Sequence, residues 1–254
     1  MVNMTRHLYI LTGASRGMGL AMAEQLLQPG HALLCISRHD NPNLASAAQK
    51  AGVPLTQWRQ DLADSAAAST RLQAWLHSQK PDDFASVSLI NNAGVIPPIG
   101  PVRQSNPADL AMALRVGLEA PMALSAAFLG ATKNWPLPRK VLNISSGLGR
   151  FPMASQAGYC AAKAGMDHFT RCLALDEALH ENGAKVCSLA PGVIDTDMQV
   201  QLRGAAGEAF PDQSKFLQLK AQGQLSTPEQ AANQVLRFLA RPDFGREPVA
   251  DVRG

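Results

Sequence analysis

The sequence predicts an α/β fold, one doubly wound domain with a parallel sheet of about seven strands and helices on both faces. Three observations carry that prediction. Short apolar runs alternate with segments of helical spacing along the whole chain. The first run opens directly into Thr12-Gly13-Ala14-Ser15-Arg16-Gly17-Met18-Gly19, a glycine-rich turn followed by a helical pattern. No internal repeat, low-complexity tract or linker breaks the order, so residues 1–254 read as one domain.

Each element has its own signal. Residues 8–11 are long enough for a buried strand. Glycines in the turn let the backbone approach a phosphate, and the helix of residues 20–27 points unpaired N–H groups at that anion. Pro29-Gly30 ends this helix, and residues 32–36 read as a second strand. A polar, Ala-rich helix runs to Ala51-Gly52, and residues 53–58 form a third strand. Residues 65–79 have helical spacing through Leu72, Trp75 and Leu76. Residues 87–90 form a fourth strand running into Asn91-Asn92-Ala93-Gly94. A long apolar helix over 109–131, a fifth strand at 141–144 and a second long helix over 158–180 follow. Residues 185–189 make a sixth strand before Pro191-Gly192. Residues 198–222 are polar and irregular, a short helical flap within 195–226. Thr227-Pro228-Glu229 caps a last helix, and residues 248–252 complete the sheet.

Composition narrows the function. A net charge of +3, with no basic run longer than a pair, argues against nucleic acid as a partner. No run of about 18 apolar residues occurs, so no membrane span is expected. Residues 1–7 lead straight into the first strand, so no signal peptide is expected. Cys35, Cys160, Cys172 and Cys187 form no CxxC pair, and a reduced, cytoplasmic protein is the expectation. The histidines form no ligand-spaced cluster, so no metal site is expected.

Five short patterns occur in register. Thr12 to Gly19 reads TGxxxGxG, and Asn91-Asn92-Ala93-Gly94 follows the fourth strand. Ser146 lies thirteen residues before Tyr159, Tyr159 to Lys163 reads YxxxK, and Pro191-Gly192 to Thr196 reads PGxxxT. In these patterns the chain resembles the short-chain dehydrogenase/reductase family over nearly its whole length. The resemblance implies a Rossmann domain that reduces or oxidises a small-molecule carbonyl or alcohol with a nicotinamide cofactor.

The residues support that chemistry themselves. Tyr159 and Lys163 are four apart on a helix, hence on one face. A phenol has a pKa of about 10 in water. A neighbouring ammonium and an oxidised nicotinamide both favour the phenolate, so the pKa is expected to fall toward neutrality. Tyr159 can then give a proton to a carbonyl oxygen that receives hydride. Ser146, at a strand end, can hydrogen-bond the same oxygen; Ser145 is off the spacing by one.

The resemblance also assigns cofactor contacts. The glycine loop supplies Thr12, Gly13, Ser15, Arg16, Gly17, Met18 and Gly19. NAD-preferring members end the second strand with an acidic residue, whereas this chain has Ser37-Arg38. A guanidinium beside a hydroxyl suits a 2′-phosphate, and Arg16 can reach it too, so NADPH/NADP is the expected cofactor. Asp61 and Leu62 match the adenine contact, and Asn92, Ala93 and Gly94 the turn after the fourth strand. Pro191, Gly192, Ile194 and Thr196 match the nicotinamide contacts, alongside Tyr159 and Lys163.

One position departs from the family. Gly117, in Arg115-Val116-Gly117-Leu118-Glu119-Ala120-Pro121, stands where members carry an Asn thought to hold a water linking the lysine to solvent. Close helix packing is the alternative account. Residues 190–199, 216–225 and 249–252 resemble sepiapterin reductases, and bacterial benzil reductases share these features. The implied substrate is a pterin side-chain ketone or a vicinal diketone. A 3-oxoacyl-thioester reductase and a non-catalytic NADP-binding regulator stay open as alternatives. Asp251 matches the point where sepiapterin reductases anchor a pterin. Relatives pair through the two long helices, so a homodimer, or a homotetramer, is expected.

Overall fold

A computed structural model describes residues 5–254; the first four residues of the expected lead-in to the first strand lie outside them. The strands are β1 (Arg6–Thr12), β2 (His31–Ser37), β3 (Leu55–Arg59), β4 (Phe84–Asn91), β5 (Arg139–Ile144), β6 (Lys185–Ala190) and β7 (Val249–Asp251). They form one parallel sheet in the order β3-β2-β1-β4-β5-β6-β7. The chain reverses direction across the sheet between β1 and β4, and a crevice opens there at the carboxyl ends of the strands.

β1 shows why these runs are continuously apolar. Leu8 and Ile10 pack into a layer with Leu72, Leu124 and Phe128, while Leu11 packs into the opposite layer with Met22, Leu44 and Val235. A strand covered on both faces needs apolar residues at every position rather than at alternate ones. One layer contains α1 (Gly17–Gln25), α2 (Pro42–Ala51) and α9 (Pro228–Ala240). The other contains α3 (Ser65–His77), α4 (Pro107–Leu114), α5 (Ala120–Thr132) and α6 (Ala157–Ala178).

Caps place the boundaries. Asn41 accepts from the Leu44 N–H ahead of Pro42, and Gly52, at φ 65°, closes α2. Thr227 and Gln230 form a reciprocal capping box on α9, with Pro228 as its first residue.

The long apolar helix departs from expectation. It spans 107–132, but a π-helical turn, Arg115–Glu119, separates α4 from α5. By length and composition it is the one helix among the described residues that could cross a membrane. Its inner face, with Val116, Leu124 and Phe128, is core instead. The flap carries α7 (Asp197–Arg203) and α8 (Gln213–Ala221), and an isolated bridge between Ile194 and Ser226 ties its two ends together. Leu202, Phe210 and Phe216 give it a small core of its own.

Candidate active site

The crevice is a cavity of about 1380 Å³, larger than most single-ligand pockets. Its floor is the glycine turn: Gly13, Ser15, Arg16, Gly17, Met18 and Gly19 all line it. The turn is as tight as backbone permits, since a Cβ on Gly19 would stand 2.1 Å from the Gly13 carbonyl oxygen. Helix α1 has no side-chain cap and no acidic residue in its first turn, so its free N–H groups suit a diphosphate.

Thr12 corrects the sequence assignment. It does not line the cavity. Its hydroxyl oxygen accepts from the N–H groups of Asn92 (2.9 Å) and Ala93 (3.0 Å), and the Asn92 amide donates back to the Thr12 carbonyl at 2.9 Å. Thr12 therefore holds the end of β1 to the end of β4, which carries Asn92, Ala93 and Gly94 on the cavity wall.

One end of the cavity is lined by Ser37, Arg38, Asp61 and Leu62. The Ser37 hydroxyl is buried and has no hydrogen-bond partner among the described residues. Arg38 is exposed and enters no ion pair among the described residues. Arg16 differs: its guanidinium pairs with Asp197 across the cavity mouth. A dinucleotide fits these residues, with the glycine turn for its diphosphate and Ser37-Arg38 for its ribose.

At the other end Pro191, Gly192, Ile194 and Thr196 meet Ser146, Tyr159 and Lys163. Tyr159 and Lys163 are 8% and 4% exposed, so burial dominates both titrations. It pushes the phenol up to about 12, against a smaller downward pull from the Ser146 hydroxyl. It pulls the ammonium down to about 8, against the opposing charge of Asp167. The fall of the Tyr159 pKa toward neutrality is thus not a property of the protein alone. Lys163 Nζ donates to the Ile144 carbonyl at 2.7 Å and lies 5.7 Å from the centre of the Tyr159 ring.

Gly117 fits the packing account. It is buried in the π-helical turn, and a Cβ there would stand 3.2 Å from that of Ala162, between Tyr159 and Lys163 on α6.

Asp251 is a second correction. It is not on the cavity wall. Arg253 donates to both its oxygens, at 2.8 and 2.7 Å, and holds its carboxyl below the usual carboxylate range. Arg253 lines the cavity in its place.

Sequence reading missed an apolar wall formed by Val95, Ile96, Met112, Leu148, Met153, Leu202, Phe216 and Leu219. These come from five separate segments and share no motif. It also missed Asp167, four residues beyond Lys163 on the buried stripe Tyr159, Ala162, Lys163, Met166, Asp167, Thr170. An acid on that stripe was the available signal.

Comparison with known proteins agrees with this geometry. The short chain dehydrogenase family matches residues 7–206. A benzil reductase ((S)-benzoin forming) of Bacillus cereus is 36% identical over 235 residues, covering 92% of this chain and 94% of that protein. The sepiapterin reductase of Meriones unguiculatus is 32% identical over 246 residues, covering 92% of each. The crystal structure of a putative 2-deoxy-d-gluconate 3-dehydrogenase from Agrobacterium tumefaciens, with bound NADP, superposes with a TM-score of 0.79 at 26% identity over 98% of this chain and 95% of that one. The chain belongs to the short-chain dehydrogenase family and is an oxidoreductase that works with a nicotinamide cofactor.

Proposed function

We propose that the protein reduces a vicinal diketone to a hydroxyketone with NADPH. The observation that carries this reading is the meeting of Ser146, Tyr159 and Lys163 with an apolar wall at one end of the cavity. The bound nicotinamide supplies the hydride. Tyr159 gives its proton to the carbonyl oxygen, and Ser146 hydrogen-bonds that oxygen and fixes its direction. Lys163 would help hold the cofactor, and its positive charge beside the phenol favours the ionised form once the proton has left. NADPH is favoured over NADH by the exposed Arg38 beside the buried Ser37 hydroxyl, neither of which has a side-chain partner among the described residues.

A diketone fits better than a pterin because the one carboxylate expected to hold a pterin is already taken by Arg253. The second copy in a homodimer would cover the exposed Leu114 on α4, Met122 on α5, Leu175 on α6 and Leu179 just after it.

Steady-state assays test the reading. With NADPH, kcat/KM for benzil should exceed that for sepiapterin, and that for benzil with NADH, by about tenfold or more, ~1.4 kcal/mol. Equal use of both cofactors rejects the NADPH reading. Faster turnover of sepiapterin, or of a 3-oxoacyl thioester, rejects the diketone. Binding of NADPH without turnover of any carbonyl supports a regulator instead.

A further inference from the structure

We propose that Asp167 is a positioning residue that keeps the buried Lys163 ammonium charged and that Arg150 moderates it; the catalytic meaning of this rests on the role proposed for Lys163. Asp167 is 1% exposed and lies outside the cavity wall. A carboxylate so deep must be hydrogen-bonded or neutral. Here it accepts from Ser145 Oγ at 2.5 Å, Ser188 Oγ at 2.7 Å and Arg150 Nε at 3.3 Å. Ser145, just after β5, and Ser188, on β6, together with Arg150 thus hold the carboxyl in place inside the molecule.

Asp167 shares one buried face of α6 with Lys163. The two residues stand one helical turn apart on the buried stripe of α6. Burial works against the ammonium, and the Asp167 carboxylate is the charge that works for it. The backbone is shaped around this arrangement. A Cβ on Gly149 would come within 2.9 Å of both Asp167 Oδ2 and the Lys163 carbonyl oxygen, so only glycine lets the Gly147–Gly149 turn sit over the pair.

The ionisable groups around this pair are few. On α6 itself they are Tyr159 and, beside it, Cys160. From the segment after the Gly147–Gly149 turn comes Arg150, and from β6 comes Cys187, whose thiol burial pushes up to about 12. From β7 come Asp251, 4.0 Å from Arg150, and its partner Arg253. The π-helical turn brings the uncharged Gly117 and Leu118 against α6. Arg150 also donates to the Ala250 carbonyl at 2.7 Å, so the same guanidinium that offsets Asp167 fastens β7.

The test follows the proton on Lys163 directly, by NMR of protein carrying 13Cε-labelled lysine, with the signal assigned by its loss in Lys163→Met. This readout does not depend on which carbonyl or cofactor the enzyme uses, so it stands even where the diketone reading fails. Asp167→Asn should lower the midpoint by about one pH unit or more. Arg150→Gln should raise it, because it strips a countercharge. Ser188→Ala, which removes one hydrogen bond and no charge, should leave it in place while lowering Tm. With benzil and NADPH, the alkaline limb of kcat/KM should move with the midpoint. An unmoved midpoint in Asp167→Asn overturns the proposal, as does a downward shift in Arg150→Gln or a Ser188→Ala shift as large as that of Asp167→Asn. Should Asp167→Asn fail to fold, the sign of the Arg150→Gln shift decides.

Discussion

The two ends of the cavity are built by different means. The glycine-turn end is backbone, locked by Thr12 and Asn92 and packed so closely that a methyl group has no room at Gly19. The flap end is side chains on two short helices. Asp195 receives Lys220 at 2.5 Å and Arg203 at 3.3 Å, and Asp197 receives Arg16. The Arg16 and Lys220 pairs are exposed and contribute little, while the Arg203 pair is partly buried. The part that grips a common cofactor is rigid and hard to alter. The part that meets a particular substrate is loosely tied and easy to change.

Four variants probe that contrast. Tyr159→Phe lies at the seam and should leave both ends intact. It is expected to lower kcat by about 100-fold to 10,000-fold, the usual weight of a proton donor, while NADPH affinity by fluorescence titration stays near wild type. A variant that turns over normally removes Tyr159 from the chemistry.

Gly19→Ala attacks the rigid end. Its methyl meets the Gly13 carbonyl oxygen, which cannot swing aside as a side chain would. NADPH binding should weaken by about 100-fold, equivalent to ~2.7 kcal/mol, and thermal unfolding should occur at lower temperature. Binding within a few-fold of wild type would show that the turn is not the rigid element described.

Arg38→Asp changes the rim of the same end without touching its backbone. The ratio of kcat/KM for NADPH over NADH should fall by about tenfold or more, with Tm unchanged. An unaltered ratio moves 2′-phosphate recognition away from this residue.

Asp195→Asn loosens the flap. Because it cuts one exposed pair, with Lys220, and one partly buried pair, with Arg203, KM for benzil should rise a few-fold, with about a twofold change or less in kcat and only a small fall in Tm. A large fall in stability would mean that the flap is as firmly built as the glycine turn.

Legibility in the sequence divides along the same line. The β1 apolar run, the glycine turn and the spacing of Tyr159 to Lys163 are local patterns, and each sits where its pattern implied. Thr12 belongs to a local pattern too, but nothing in the motif says whether its hydroxyl faces a ligand or a neighbouring strand. Asp251 failed for a related reason. Its position was readable, while its partner Arg253 depends on how the tail turns after β7. The wall around the substrate end was silent because Met112, Leu148 and Phe216 meet only once the chain is folded.

The π-helical turn at Arg115–Glu119 limits how this chain can change in length. It holds one residue more than an α turn, and each residue in a helix advances the face by about 100°. Met112 before it looks into the cavity, and Leu124 and Phe128 after it look into the core. The wider turn absorbs that extra residue, so deleting any one of residues 115–119 would restore an ordinary α turn and leave both faces aimed as they are. A deletion elsewhere in the helix would swing one of the two faces by about 100°. A deletion scan along 107–132 would therefore find its most tolerant step at this turn.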